Sequence, residues 1–331
     1  MSQVGLARVT AKRGSQPARW GLRFAATPAT VILNHDHSHT FLNGLVGIES
    51  GLDFMLLTSF EPSVACMSSS SLPTQNLLME LCAGGIEDVY LAAHYGVDRI
   101  ELNSGMAVGG LTPSASLAST ARRVFAGPII AMIRPREGGF AYSKHEYLQM
   151  LNDGELLLAA GLEGLATGFL TSDGTVDLER CRKIRALFPK TTLVFHRAFD
   201  VIADWNTAIL QLIDCGFNRI LTSGGKPTAL EGSTVLKHLQ EKAAGRIEIL
   251  PAGGIRASNI LDVIKTSGCT QFHTSVREIV CDNSTRYNRS LSFGLPGHDN
   301  GSYGRASADQ IEALLTVVNC LRHAEAGGRG Q

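Results

Sequence analysis

From Leu77 onward the chain repeats one pattern eight times: a short apolar run, then a longer stretch of helical period. Strands can pair in parallel only after a crossover segment, so successive units of this kind build a parallel sheet faced by helices. The expected strands are 77–82, 99–102, 129–133, 164–167, 192–196, 219–222, 248–251 and 271–274. Between them the expected helices run through 87–95, from Ser114, from a Ser143 cap to Ala160, 177–188, 204–214, 228–243 and from a Ser258 cap. A long loop over 281–307 precedes a last helix over 308–323. Ser143 and Glu146 stand at capping-box spacing.

Eight such units without a Gly-x-Gly-x-x-Gly after the first strand favour closure over a doubly wound open sheet. The expected fold class is therefore α/β, a (β/α)8 TIM barrel over residues 76–331, with a poorly structured N-terminal extension over 1–75. A barrel of this class uses about 250 residues as one unit, which fits the length after the extension is set aside. Two preambles, Gly96-Val97-Asp98-Arg99-Ile100 and Gly216-Phe217-Asn218-Arg219-Ile220, read as one helix-to-strand connection used twice.

The extension differs in kind. Residues 1–34 carry Arg8, Lys12, Arg13, Arg19 and Arg23 with no Asp or Glu, a composition shared by organellar transit peptides and by disordered basic tails. His35, His37 and His39 could share a metal ion or belong to a solvated loop. Ser68–Ser71 and Pro73 mark a linker.

Composition excludes some function classes. A formal net charge of zero argues against electrostatic binding to nucleic acid or an anionic membrane, and no apolar run is long enough to span a bilayer. The seven cysteines are scattered and contain no CxxC pair, which suits a reducing compartment rather than a disulfide framework or zinc finger. Cytoplasmic residence is the expectation, with organellar import through the basic N-terminus as its alternative. Cys181, Cys215 and Cys320 fall in or beside helix patterns and are expected to pack in the interior.

In a TIM barrel, function sits where strands end and βα loops begin. Those junctions hold Glu80 and Cys82, Glu101 and Asn103, Arg134 and Arg136, His196 with Arg197 and Asp200, Gly253 and Gly254, and His273 with Ser275. Strand side chains alternate, so Glu80 shares a face with Cys82 and Glu101 with Asn103. If that face is the interior, buried carboxylates require partners, and pairing of Glu80 or Glu101 with Arg134 is expected. Such a set can be a structural ion-pair layer or an active site. His196 followed by Arg197 and Asp200 points to acid–base or metal chemistry, since packing has no use for that sequence. Gly253, Gly254 and Ser275 resemble the phosphate site that many barrels build after strands seven and eight; a tight turn would also want the glycines. Cys82, a soft donor at a strand end, is the best candidate ligand for Cu(I).

Several segments together resemble the CutC copper homeostasis family: Met79-Glu80-Leu81-Cys82, 96–102, Gly109-Gly110-Leu111-Thr112-Pro113-Ser114, Met132-Ile133-Arg134-Pro135-Arg136, Phe195-His196-Arg197-Ala198-Phe199-Asp200, 221–224 and Phe272-His273. The resemblance implies a TIM barrel, a cytosolic homo-oligomer and Cu(I) handling, with a copper ion as partner and no established reaction. The family typically ends both of its first two strands in Glu-x-Cys; here the second reads Glu101-Leu102-Asn103. Met106 and Met132 are candidate thioether replacements. Two functions follow as expectations. One is copper handling through Cys82. The other is an enzyme acting on a small anionic metabolite, phosphorylated ones included, with Glu80, Glu101, Arg134, His196 and Arg197 as catalytic candidates and Gly253, Gly254 and Ser275 as the anion site.

Overall fold

The computed structural model describes residues 77–323 except 289, 292 and 294–300. The expectations for residues 1–75, including the His35–His39 cluster and the linker, lie outside the described residues. Eight parallel strands form one sheet: β1 (Leu78–Ala83), β2 (Arg99–Leu102), β3 (Ile129–Met132), β4 (Gly164–Thr167), β5 (Thr192–Phe195), β6 (Arg219–Thr222), β7 (Glu248–Pro251) and β8 (Gln271–Thr274). Each pairs with its sequence neighbour from β1 to β7, β8 pairs with β1, and the parallel bridge between Ala252 and His273 brings β7 to β8. The result is a (β/α)8 barrel.

Helices α1 (Ile86–Tyr95), α2 (Ala115–Val124), α3 (Lys144–Ala159), α4 (Leu178–Leu187), α5 (Trp205–Asp214), α6 (Ser233–Ala243), α7 (Ile260–Ser267) and α8 (Ala308–His323) surround it. Outward residues of the strands, such as Met79, Leu81, Ile100, Leu193 and Phe195, join the inward stripes of the helices in one continuous core. A second, separate apolar cluster of Ile130, Met132, Ala166, Val194, Leu221, Leu250 and Ala252 fills the barrel interior along β3–β7. The interior of β1, β2 and β8 is polar instead. That asymmetry places the site.

The repeated preamble has a physical reason. Gly96 and Gly216 both take positive φ, 68° and 77°, ending a helix in the conformation only glycine adopts freely. Two residues later a side-chain oxygen caps the preceding strand: Asp98 Oδ2 accepts the Met79 N–H at 2.8 Å, and Asn218 Oδ1 accepts the Leu193 N–H at 2.9 Å. Glu163 does the same for Ile129 at 2.8 Å. The next residue, Arg99 or Arg219, then turns into the barrel and is buried.

The Ser143–Glu146 capping box forms in both directions. Ser143→Ala is expected to cost about 1 kcal/mol in denaturant unfolding, since it strips one N-terminal amide of its acceptor; an unchanged midpoint would mean that water replaces the cap.

Four expectations need correction. Helix α6 starts at Ser233 rather than Thr228, because residues 228–232 form a turn held by the Ala229 N–H on the Gly253 carbonyl at 2.9 Å. Asn259, not Ser258, precedes α7; its side chain accepts from Arg256 N–H and donates to Gly254 O, both at 2.9 Å, fastening the β7–α7 loop instead of capping the helix. The supposed loop after β8 holds an antiparallel hairpin, β9 (Arg277–Cys281) with β10 (Ser302–Ala306). Its strands, Arg-Glu-Ile-Val-Cys and Ser-Tyr-Gly-Arg-Ala, carry no apolar alternation to announce it. Cys181 and Cys215 are buried as expected, but Cys320 is exposed on α8.

Candidate functional site

Alternation along β1 and β2 sends Glu80, Cys82, Arg99, Glu101 and Asn103 inward, and β8 adds Gln271 and His273. Register then sets their heights. Glu80 lies opposite Arg99 on one side and His273 on the other, while Cys82 lies opposite Glu101.

The lower part of this polar half is a chain of paired charges. Arg99 forms an ion pair with Glu80 and donates to Gln271 Oε1 at 2.8 Å; Gln271 donates to Glu248 at 3.2 Å, and Arg219 donates to the same carboxylate at 2.7 Å. Glu80 also accepts from His273 Nδ1 at 2.7 Å. Burial alone would raise the Glu80 pKa, but the Arg99 charge and the His273 contacts pull it down to about 2. The expected pairing of Glu80 or Glu101 with Arg134 does not occur. Arg134 sits at the far end of β3 and donates to main-chain oxygens: Val108 and Gly110 at 2.9 Å, and Gly138 at 3.0 Å.

Above the ion pairs the donors become softer. Cys82 Sγ is 3.8 Å from Met106 Sδ and 3.7 Å from Glu101 Oε2, and Asn103 Nδ2 donates to both Cys82 Sγ (3.4 Å) and Glu101 Oε2 (2.9 Å). His273 Nε2 faces Glu101 Oε2 at 3.9 Å. Among the described residues, Cys82, Glu101 and His273 offer ligand atoms within 4.8 Å of one another. Met106 arrives on a short 3-10 turn, Met106–Val108, between Gly105 and Gly109, both at positive φ. Burial raises the Cys82 and Glu101 pKa values. Burial would strip His273 of its proton, yet the Glu101 carboxylate and its contacts with Cys82 and Glu80 hold it well above the usual imidazole range.

These groups form one wall of a cavity of about 360 Å3 at the C-terminal end of the barrel. Arg134, Phe140, His196, Arg197, Gly253, Gly254 and Ser275 line it too, over an apolar floor of Met132, Leu221 and Ala252. Of the strand-end residues singled out from sequence, Glu80, Arg136 and Asp200 do not line it: the Glu80 carboxylate is taken up by the layer beneath, Arg136 pairs with Glu146, and Asp200 pairs with Arg197. Met106 was a candidate donor, and His273 stood among the strand-end residues without a role. Closure of β8 on β1 is what brings His273 to Glu80, and a strand's own sequence carries no sign of that pairing.

His196 behaves unlike His273. Its ring packs 5.0 Å from Phe140, over which the Arg134 guanidinium lies at 5.4 Å. Burial, then the Arg134 charge, pulls its pKa down to about 3, so the imidazole is neutral. Nδ1 accepts the Ala198 N–H at 3.2 Å, which leaves the proton on Nε2. Arg197 reaches Asp200 at 2.8 Å and Ser223 Oγ at 2.9 Å.

Comparison with known proteins agrees over the barrel. The CutC family model matches residues 77–278. A CutC family protein of Treponema denticola is 43% identical over 220 residues, 66% of this chain and 89% of that protein. A copper homeostasis protein cutC homolog of Mus musculus is 39% identical over 262 residues, 78% of this chain and 96% of that one. The crystal structure of a copper homeostasis protein CutC from Streptococcus agalactiae superposes with a TM-score of 0.57 at 34% identity, covering 60% of this chain and 97% of that one. No helix among the described residues is long and apolar enough to cross a membrane.

Proposed function

Since this chain belongs to the CutC family, we propose that it handles copper as Cu(I), held by Cys82 Sγ, Met106 Sδ and His273 Nε2 at the strand-end cluster. The observation that carries this reading is the 3.8 Å approach of a thiol to a thioether, with His273 closing the group. Thiolate, thioether and imidazole are donors that Cu(I) accepts, whereas carboxylate and amide oxygens suit harder ions. Asn103 then has a role other than ligand. Where the family typically has a second thiol, its amide donates to Cys82 Sγ, which stabilises the thiolate, and Met106 supplies the second sulfur. Glu80 completes the arrangement from outside: a carboxylate on Nδ1 fixes the imidazole, and the ion takes the place of the Nε2 proton, which is released to solvent on binding. The buried and exposed free thiols of the described chain suit the cytosol.

Titration with Cu(I) under reducing conditions tests this. One equivalent is expected to bind, and Cys82→Ser should weaken it by more than the roughly 10–100-fold that losing an outer partner costs. Met106→Leu keeps the volume and removes the sulfur, so it should weaken Cu(I) while leaving the melting temperature nearly unchanged. Unchanged affinity in Cys82→Ser would remove the cluster from consideration; unchanged affinity in Met106→Leu would leave a site without a second sulfur.

Acid–base catalysis at His196 is the weaker reading. An imidazole held near pKa 3 is a poor base at neutral pH, and serves better as a hydrogen-bond donor.

A further inference from the structure

The cavity contains a second set of groups that copper does not use. Gly253 and Gly254 follow β7 with φ of 101° and 66°, and among the described residues no acceptor takes their N–H groups or the Ser275 hydroxyl. All three line the cavity at its rim, with Ser275 one pleat above His273. Successive amides exposed in a tight turn can form a concavity that suits an anion. The Arg197 guanidinium lines the same cavity, and Glu101, on the copper wall, is the carboxylate that does so.

Two buried side chains make an independent case. His196 is 3% exposed, and among the described residues its Nε2–H has no acceptor. Arg134 is 7% exposed, and its Nε–H has none either. A buried donor left without an acceptor costs about 1–3 kcal/mol, so two lining one cavity call for a ligand that brings oxygens to them. The floor between these donors and the rim is apolar, formed by Met132, Leu221 and Ala252, with Phe140 in the wall.

We propose that this cavity is also a binding site for a small organic phosphate monoester. Its phosphoryl group sits on the amides of Gly253 and Gly254 with the Ser275 hydroxyl and Arg197, and its oxygen-bearing body lies against His196. Two amides, a hydroxyl and a guanidinium match the three oxygens of a phosphoryl group better than the two of a carboxylate. The orphaned donors belong to the body of the ligand, so inorganic phosphate alone fills half of the site. The copper reading is not needed for this one: the donors involved are separate from Cys82 and Met106.

The test is calorimetric titration of the full chain, in a phosphate-free buffer, with three- to six-carbon sugar monophosphates, the same sugars without phosphate, and inorganic phosphate. At least one monophosphate should bind at about 1 mM or tighter, and roughly tenfold more tightly than either the parent sugar or inorganic phosphate. Ser275→Asp sets a carboxylate against the phosphoryl group and should weaken it at least roughly tenfold. His196→Phe, which keeps an aromatic ring and removes the Nε2–H donor, should weaken the monophosphate while inorganic phosphate binds as before. Cu(I) affinity measured on Ser275→Asp should stay near that of the unaltered protein, which separates failure of this site from failure of the copper site. Absence of monophosphate binding, equal binding of parent sugars, or indifference to both substitutions would each overturn the proposal.

Discussion

Glu80→Gln is expected to destabilise the barrel by about 3–5 kcal/mol at neutral pH, the usual cost of breaking a buried ion pair from one side. The change is nearly isosteric, so packing does not explain a loss of that size. Arg99 would keep its charge at 5% exposure with only Gln271 and a neutral amide to face it, and His273 would lose the carboxylate on Nδ1. The pH dependence has a definite sign. The folded-state pKa of Glu80 is depressed, so its contribution is present above the ordinary value near 4.5 and is lost as pH falls towards about 2. Denaturant unfolding of both proteins should therefore show a wide gap at pH 7 that narrows across that window. Arg99→Met added to Glu80→Gln should recover part of the loss, since the pair removed together leaves no unpaired charge. A gap below about 1 kcal/mol, or one that stays constant with pH, would mean that water reaches Arg99 and that the pair is a surface-like contact.

That ion pair also marks where sequence reasoning reached its limit. Each expected strand lies within one or two residues of its observed bounds, because apolar runs at strand length are a strong local signal. Alternation then correctly set Glu80 beside Cys82 and Glu101 beside Asn103 on the interior face. Height along the barrel is a different quantity. It depends on register between strands far apart in sequence, and register placed Arg99 opposite Glu80 while Arg134 stood further up, at the loops. The same gap explains His273, whose partner Glu80 is 193 residues away. Turn residues failed for a local reason: Asn259 and Ser258 are both good caps, and only the neighbouring Gly254 carbonyl and Arg256 amide decide which side chain is engaged. The family resemblance supplied the strand-end set as a whole, and its one departure, Asn103, turned out to lie within hydrogen-bond reach of the thiol it leaves unmatched.

If Cys82, Met106 and His273 hold copper as proposed, Arg134→Met is expected to lower Cu(I) affinity by roughly 10–100-fold although Arg134 touches none of the three, the range seen when an outer partner of a metal site is lost. The reason is the loop it holds. Its Nη1 binds the carbonyls of Val108 and Gly110, on either side of Gly109, and Nη2 binds Gly138 in the next loop. Val108 ends the turn that carries Met106, so the guanidinium is what keeps the thioether 3.8 Å from Cys82. Stability should also fall, by roughly 2–4 kcal/mol, as charge-assisted bonds to buried carbonyls are lost. Arg134→Lys should recover little of either, because a point charge cannot span carbonyls in two loops as a planar fork does. His196 gives a readout that a general loss of stability would not move. The Arg134 charge is the second cause, after burial, of its depressed pKa, so removing it should shift the imidazole titration upward from about 3 in an NMR pH series. If melting temperature falls while Cu(I) affinity holds, Met106 does not depend on this clamp. If affinity falls and the His196 titration stays in place, the loop depends on Arg134 but the guanidinium charge is not what depresses the imidazole, which leaves burial as the cause.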